Sequence, residues 1–317
     1  MPQAHFLPLS GQTSIGQRTL YGTWLPPGAR VAAYVGPQSD TTDSYSTSSL
    51  LVSTLNAGLA RCRSGKGDVV IVLPGHTETV STADFYTSLV AGTRIIGVAD
   101  MYSGLMPVLN FTATASTFLL DVANVQISGL KFTVGIDEVV NFVNVSGAGC
   151  RIDNCYFQVG TASTMDMDTA IIVATGATDC VITNNRFVGT STAVNTNIIS
   201  VTGTGVNNFV ISNNFFHVSV SSNGVIDLSG TATGFEITDN RIHNVGGTAP
   251  VAIRCADTAL VGLIDANKMF FTTDITVLTG AITLTGVATS SIRIGINHGI
   301  DEDTSSATLA PIVATIE

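Results

Sequence analysis

Short runs in which apolar and polar residues alternate recur along most of the chain. The stretches VQISGLKF, NFVISNNFF and GFEITDNRI each place apolar side chains at alternate positions. Alternation with period two is typical of β-strands, whose successive side chains point to opposite faces. Gly, Asn and Thr separate the runs. The pattern therefore predicts short strands, about four to six residues long, joined by tight turns.

These runs repeat in phase with one another. The isoleucine that opens each run recurs at intervals of 25 to 30 residues: Ile127, Ile152, Ile182, Ile211, Ile237, Ile264 and Ile294. Two more units are assigned upstream, at Ile71 and Ile96. An irregular period of this length excludes a heptad repeat and favours a solenoid. We predict an all-β fold, a single-stranded parallel β-helix of about nine coils.

Alignment of the coils predicts which columns form the interior. The opening isoleucine and the residue two positions before it point inward. The fifth position after the isoleucine carries large apolar side chains, and its aromatic members are expected to form a core stack. They are Phe132, Phe157, Phe187 and Phe216.

Asparagine occupies the third position after the isoleucine in five consecutive coils: Asn185, Asn214, Asn240, Asn267 and Asn297. The second position is Asn or Asp in four coils. Asparagine tolerates left-handed backbone at bends, and stacked side-chain amides can bond from coil to coil. We interpret the second position as the bend and the third as a structural asparagine ladder. A ligand site held by the same amides is the alternative.

Both ends of a solenoid need a cover, because exposed strand edges pair with other chains. Residues 41–67 are expected to provide a short capping helix, 68–300 the parallel β-helix, and 301–317 a C-terminal cap or tail. One face of the predicted helix is apolar: Leu51, Leu55, Leu59 and Cys62.

Residues 1–40 show no repeat phase and contain five of the nine prolines. We predict an extended arm that contacts a partner. An arm that packs along its own β-helix is the alternative. Aromatic side chains are the candidate contacts, because they are enriched at interfaces. They are Phe6, Tyr21, Trp24 and Tyr34.

Composition narrows the classes of function. Only 11% of residues are charged, and the net charge of −10 argues against binding to nucleic acid. The basic cluster Arg61, Arg63 and Lys66 is interpreted as a helix end or a solvated face. No secretory signal or membrane span is predicted. The five cysteines lack metal-ligand spacing, and we interpret them as buried thiols of a chain that folds in a reducing cytoplasm.

Few residues offer catalytic chemistry. Hydrolysis of a glycosidic bond needs two placed carboxylates, whereas Asp and Glu are sparse here and form no column. Asp166 and Asp168 fall in a segment predicted to be a long loop. No nucleophile elbow and no nucleotide-binding glycine pattern occur. The histidines His76, His217, His243 and His298 lack metal-ligand spacing. We predict no enzymatic activity, no cofactor and no metal site.

The phrase GDVVIVLPGHTETV, followed by TRIIGV and the repeated coils, resembles right-handed parallel β-helix proteins of the pectate-lyase-like class. More narrowly, the chain resembles β-helix virion proteins of tailed bacteriophages. The resemblance covers about residues 45–300 and does not include the arm.

The resemblance implies a structural virion protein on the capsid exterior. As a head decoration or cement protein it would dock on the major capsid protein lattice as a homotrimer, after folding in the host cytoplasm. The alternative is a tailspike or receptor-binding rod that binds or cleaves host polysaccharide. Such a rod should show a groove lined by aromatics and carboxylates, whereas most aromatic residues here are assigned to the inward column.

Overall fold

The chain folds into a parallel β-solenoid with almost no helix. The computed structural model describes residues 19–20, 23–24, 28–36, 50–99, 104–162, 165–190, 195–220, 223–245, 251–271, 281–285, 292–301, 310–311 and 315–316. The strands stack into three sheets of 11, 10 and 9 strands, and a separate two-stranded antiparallel pair joins β1 (Thr19–Leu20) to β2 (Thr23–Trp24).

The first sheet contains β3 (Val31–Val35), β4 (Leu51–Val52), β5 (Val69–Val72), β7 (Arg94–Gly97), β10 (Gln126–Ser128), β13 (Arg151–Asp153), β17 (Val181–Thr183), β20 (Val210–Ser212), β23 (Ala232–Thr238), β26 (Leu260–Asp265) and β29 (Ile292–Ile294). The second contains β6 (Thr77–Val80), β8 (Val108–Phe111), β11 (Lys131–Val134), β14 (Tyr156–Gln158), β18 (Arg186–Val188), β21 (Phe215–Val218), β24 (Arg241–Asn244), β27 (Lys268–Phe271), β30 (His298–Asp301) and β31 (Ala310–Pro311). The third contains β9 (Phe118–Leu120), β12 (Val139–Val145), β15 (Gly160–Ala162), β16 (Met165–Val173), β19 (Asn197–Val201), β22 (Ile226–Leu228), β25 (Ile253–Cys255), β28 (Ile282–Leu284) and β32 (Thr315–Ile316).

Each turn of the solenoid visits the three sheets in order. About seven turns lie between Arg94 and Leu284, each with a strand in all three sheets. A partial turn precedes them, and a last turn, whose strand in the third sheet is the two-residue β32, follows. The predicted all-β parallel solenoid is confirmed, with slightly fewer complete coils than the nine expected from the sequence.

The isoleucine column is in register. Ile127 pairs with Ile152, and the pairing continues through each later opening isoleucine to Ile294. Upstream the register differs by one residue, because Ile127 aligns with Ile95 and Ile95 aligns with Val70. Strand β5 is apolar on both faces, so alternation gives no indication of its register.

Ile71 and Ile96, which were assigned to the inward column, therefore lie in a second apolar cluster on the outer face of the first sheet. Val69 joins them there, and all three side chains are buried.

Bends between the sheets use the left-handed backbone region. The residue between the first and second sheets has φ of 52° to 57° in five turns: Asn154, Asn184, Asn213, Asp239 and Ala266. Asparagine, aspartate and glycine adopt this conformation most readily, which explains why the sequence repeats Asn at this position.

Among the described residues, one short helix, α1 (Leu55–Leu59), packs at the N-terminal end of the first sheet. Leu55 and Leu59 are fully buried in the main core. Thr54 caps the helix, and the Glu78 carboxylate accepts the N–H of Leu55 at 2.8 Å. The helix lies inside the predicted capping region, where it closes the end of the core.

Two segments differ from the expectation. Strand β3 lies inside the predicted arm and pairs in parallel with β4 and β5, so the solenoid begins by Val31 and not at residue 68. Residues 165–173, predicted to be a long loop around Asp166 and Asp168, form the nine-residue strand β16. In the part of the chain that the structure describes, no helix has the length and apolar character needed to span a bilayer.

Candidate binding face

The outer face of the second sheet carries a column of alternating cations and aromatic rings. This cation–aromatic column takes one residue from each of six consecutive turns: Lys131, Tyr156, Arg186, Phe215, Arg241 and Lys268. Each residue directly precedes a member of the inward column. Since neighbouring side chains on a strand point to opposite faces, burial of the core stack turns this column outward.

The two arginines of the column hold a phenylalanine ring between them. Arg186 Cζ lies 4.6 Å from the centroid of the Phe215 ring, and Arg241 Cζ lies 5.7 Å from the same centroid. Arg241 Cζ is also 4.9 Å from the Phe270 centroid. Cation–π contacts of this length order the guanidinium groups. A guanidinium stacked on a ring keeps its N–H edges available for a bidentate anion.

A second outward column runs beside the first. The ring nitrogens His217 Nδ1 and His243 Nδ1 lie 3.1 Å apart, and the two rings meet edge to face. At this distance one ring nitrogen donates a hydrogen bond and the other accepts it. Phe270 follows on the next turn, with its ring centroid 6.2 Å from that of His243.

This face is positively charged on an acidic protein. At the outward positions of the described strands of the second sheet there is no Asp or Glu. The ion pairs of the described residues do not include Lys131, Arg241 or Lys268. Lys131 Nζ instead lies 5.4 Å from the Tyr156 ring centroid. The column is therefore suited to an anionic ligand.

An open pocket of about 440 Å³ lies at the C-terminal part of this face. Its lining comprises Asn213, Asp239, Asn240, Arg241, Ala266, Lys268 and Phe270. Arg241 and Lys268 belong to the cation–aromatic column, and Asp239 is the one carboxylate among the described lining residues. We call this the Ala266 pocket.

The five ladder asparagines lie directly beneath the bends as a continuous hydrogen-bonded column. Asn185 Nδ2 donates to Asn214 Oδ1 at 3.1 Å, and the three following steps measure 2.9 to 3.1 Å. Each Nδ2 also donates to the carbonyl of an opening isoleucine one turn earlier. The ladder amides are buried and fully engaged within the solenoid, which leaves them no capacity for a ligand.

The predicted core stack lies in a single inward column. Successive ring centroids from Phe132 to Phe216 are 4.6 to 4.7 Å apart, with interplanar angles of 4° to 13°. Ile242 and Met269 continue the column. All six side chains are fully buried.

The arm residues are only partly described. Phe6 and Tyr21 lie outside the described residues, and Trp24 belongs to strand β2. Tyr34 lies in strand β3 of the first sheet, half-buried beside the outer apolar cluster, and burial raises the pKa of its hydroxyl. Tyr34 is thus a part of the solenoid and not of a separate arm.

Arg63, one residue of the predicted basic cluster, has a structural role. Arg63 Nη2 donates to Asp68 Oδ1 at 2.7 Å, and the Asp68 side chain is fully buried. Burial alone would raise the pKa of Asp68, but hydrogen bonds from Arg63 and from the backbone of Arg30 lower it overall. Arg63 therefore anchors the turn before β5.

All five cysteines are free thiols, and four of them are buried. Burial raises the pKa of Cys155 and of Cys255 to about 12, and that of the half-buried Cys62 to about 11. A thiol that stays protonated near neutral pH is a poor nucleophile and a poor metal ligand. Within the described residues, no group of three or more His, Cys, Asp or Glu is arranged to hold a metal ion.

The sequence contains a signal for the cation–aromatic column at positions that alternate with the inward ones. The fourth position after each opening isoleucine is Lys, Tyr, Arg, Phe, Arg and Lys in consecutive coils. The phenylalanines at the fifth position lie in the predicted interior, and most aromatic residues were therefore assigned there. Tyr156, Phe215 and Phe270 instead lie on the outer face, each half-buried.

No protein-family model matches the chain, and no curated protein matches it. Two solved structures are similar. One is sacteLam55A from Streptomyces sp. SirexAA-E, with 13% identity over 81% of this chain and 51% of that chain, at a TM-score of 0.51. The other is a variant of that protein in complex with glucose, with 12% identity, the same coverage and a TM-score of 0.52. The chain spans about half the length of these structures, and at this identity it shares their fold alone.

Proposed function

We propose that this protein is a rod that binds an extended, anionic polysaccharide along the cation–aromatic column. The observation that carries the proposal is the column itself: cations and rings alternate over five consecutive turns, a further cation follows on the sixth, and the described outward positions of this face contain no carboxylate. Equal spacing of the turns, about 4.8 Å apart, suits a polymer of repeating units.

A polysaccharide fits this face better than a nucleic acid does. Double-stranded nucleic acid carries a negative charge about every 1.7 Å along its axis, whereas Lys131, Arg186 and Arg241 stand two turns, or about 10 Å, apart. Arg241, which contacts the Phe215 and Phe270 rings, presents ordered N–H donors to an isolated anionic group. One of the two similar solved structures was determined in complex with glucose, so a protein that contains a similar fold binds a sugar.

The proposal is for binding and not for cleavage. Hydrolysis of a glycosidic bond uses two carboxylates about 5 to 9 Å apart. The described lining of the Ala266 pocket offers Asp239 as its one carboxylate. This arrangement lacks a second carboxylate for the acid–base pair.

In its biological setting we propose a receptor-binding protein of a tailed bacteriophage, in which the rod contacts a host surface polysaccharide. The repeated coils that resemble phage virion proteins support this setting. A soluble rod with a line of binding groups along its side is suited to grip a polymer at several points at once.

A capsid decoration protein is the second proposal. The same positive column could dock on an acidic patch of a major capsid protein lattice, with three copies acting together. Quantification of this chain against the major capsid protein in purified particles separates the two. Hundreds of copies per particle favour decoration, whereas a few tens at most favour receptor binding.

The binding proposal is tested by paired charge-neutralising variants. The double variant Arg186→Gln, Arg241→Gln removes the ordered guanidinium groups of the column. The matched control Arg151→Gln, Arg293→Gln makes the same change in net charge on the first sheet, where Arg151 and Arg293 occupy outward positions. Retention on immobilised host polysaccharide is the readout.

Each charge-assisted hydrogen bond contributes about 1.5 to 3 kcal/mol, so the double variant should bind at least about 100-fold more weakly. The control should bind as the parent does. Equal losses in both variants would show that net charge alone, and not the column, drives retention, and an unchanged double variant would refute the proposal.

A further inference from the structure

The spacing of the cation–aromatic column carries information about its ligand, and this inference rests on the proposed function. We infer that the ligand is a polysaccharide with a carboxylate on every second sugar, and that the Ala266 pocket holds one of its acidic sugars. The chemistry recognised is a uronic acid that alternates with a neutral sugar.

The first step is the alternation of charge. Lys131, Arg186 and Arg241 stand on alternate turns, so their positions repeat every two turns, or about 10 Å. Tyr156 and Phe215 occupy the turns between them. One sugar unit of an extended chain is about as long as one turn spacing, so a carboxylate on alternate sugars meets a cation each time.

The rings between the cations act as spacers. Because Arg186 and Arg241 contact the Phe215 ring from neighbouring turns, that ring separates the two guanidinium groups and fixes their planes. A carboxylate above the Phe215 turn has no cation directly beneath it. A polymer charged at every sugar would therefore leave half of its anions without a partner.

The Ala266 pocket departs from the alternation. Arg241 and Lys268 lie on adjacent turns and both line it, so two cations converge on one volume. Phe270 provides an apolar wall, and Asp239 provides an acceptor for a sugar hydroxyl. A pocket of about 440 Å³ is large enough to admit one sugar unit.

The pocket coincides with an exception in the bend column. Asn184, Asn213 and Asp239 carry polar side chains at bends with φ of 56° to 57°, but the next turn has Ala266 at φ 56°. Alanine is disfavoured in this region and gains no hydrogen bond from its side chain. A strained residue at an open surface pocket indicates selection for the space rather than for stability.

This coincidence gives a test in which stability and binding move in opposite directions. Ala266→Asn restores the residue type of the other bends and places a larger polar side chain in the wall of the pocket. The matched variant Ala266→Gly also relieves the backbone but leaves the pocket open. Both variants should have a Tm equal to or above that of the parent, which excludes misfolding as a cause of lost binding.

Binding is measured by calorimetry against four defined probes. Hyaluronan and unsulfated chondroitin carry a carboxylate on alternate sugars, alginate carries one on every sugar, and dextran is neutral. The parent and Ala266→Gly should bind hyaluronan or chondroitin at least tenfold more tightly than alginate or dextran. Ala266→Asn should bind the same probe at least tenfold more weakly.

The outcomes separate the inference from the proposed function. Equal binding of dextran, or tighter binding of alginate, would overturn the alternating acidic ligand while polysaccharide binding stands. Unchanged affinity in Ala266→Asn would overturn the pocket assignment. If the parent retained none of the four probes and no host polysaccharide, the proposed function would fail and the inference with it.

Discussion

At the scale of single residues, adjacent asparagines have different roles that their shared residue type conceals. Asn184 is exposed at a bend with φ 56°, whereas Asn185 is buried in the ladder. Asn185 Oδ1 accepts the N–H of Cys155, and its Nδ2 donates to the carbonyl of Ile152. Asn184 adopts the left-handed backbone conformation that the bend requires, and Asn185 forms hydrogen bonds with buried backbone groups.

We predict a large difference between substitutions at these two neighbours. Asn185→Ala leaves the Cys155 N–H and the Ile152 carbonyl buried without that partner, at about 1 to 3 kcal/mol each. The free energy of unfolding should therefore fall by about 2 to 6 kcal/mol. Asn184→Gly keeps the left-handed bend and should change stability by less than about 0.5 kcal/mol. Urea denaturation of both variants measures the contrast, and similar losses would contradict the assigned roles.

At the scale of elements, the strands of the regular turns were predictable because the same short pattern of residues recurs in each turn. The opening isoleucine, the ladder asparagine and the core phenylalanine recur at fixed offsets, so alignment alone places them in columns. Strand β5 was not predictable in the same way, since its four apolar residues satisfy either register. Strand β16 was not predicted, because its first residues alternate methionine with aspartate. The β-branched and aromatic residues that usually mark a strand are absent from MDMD.

The candidate site was hidden for a related reason. The column contains Lys, Tyr, Arg and Phe. It therefore has neither a consistent polarity nor a single residue type that would mark it in the sequence. Arg186, Phe215 and Arg241 share one offset from their opening isoleucines, and the register of the strands shows that they lie side by side. The pairing of strands between successive turns brings these residues, which are far apart in the sequence, onto one surface.

We predict that the core stack behaves as one packed element. Phe187 lies 4.7 Å from both Phe157 and Phe216, and its side chain is fully buried. Phe187→Ala should lower the free energy of unfolding by about 3 to 5 kcal/mol, because it removes contacts on both sides and leaves a cavity. Val188→Ala, on the next residue of the same strand but facing outward, should cost less than about 1 kcal/mol. Chemical denaturation measures the free energy of unfolding of both variants. Equal losses in the two variants would show that the phenylalanine stack is not the stabilising element.

At the scale of the whole molecule, the solenoid combines a rigid interior with a patterned exterior. Backbone hydrogen bonds between paired strands set the spacing of the turns, the phenylalanine stack and the asparagine ladder follow it, and that spacing determines where each outward side chain stands. The cation–aromatic column inherits its regularity from the core beneath it. An acidic chain with one positive line along its side should bind its ligand more weakly as ionic strength rises.

The most direct test of binding along this column is hydrogen–deuterium exchange with and without a bound acidic polysaccharide. Strands β14, β18, β21, β24 and β27 of the second sheet should gain protection together, because one extended ligand covers their outer face. The strands of the first sheet should exchange at unchanged rates. Protection on the first or third sheet instead, or no added protection with any acidic polysaccharide, would contradict the account.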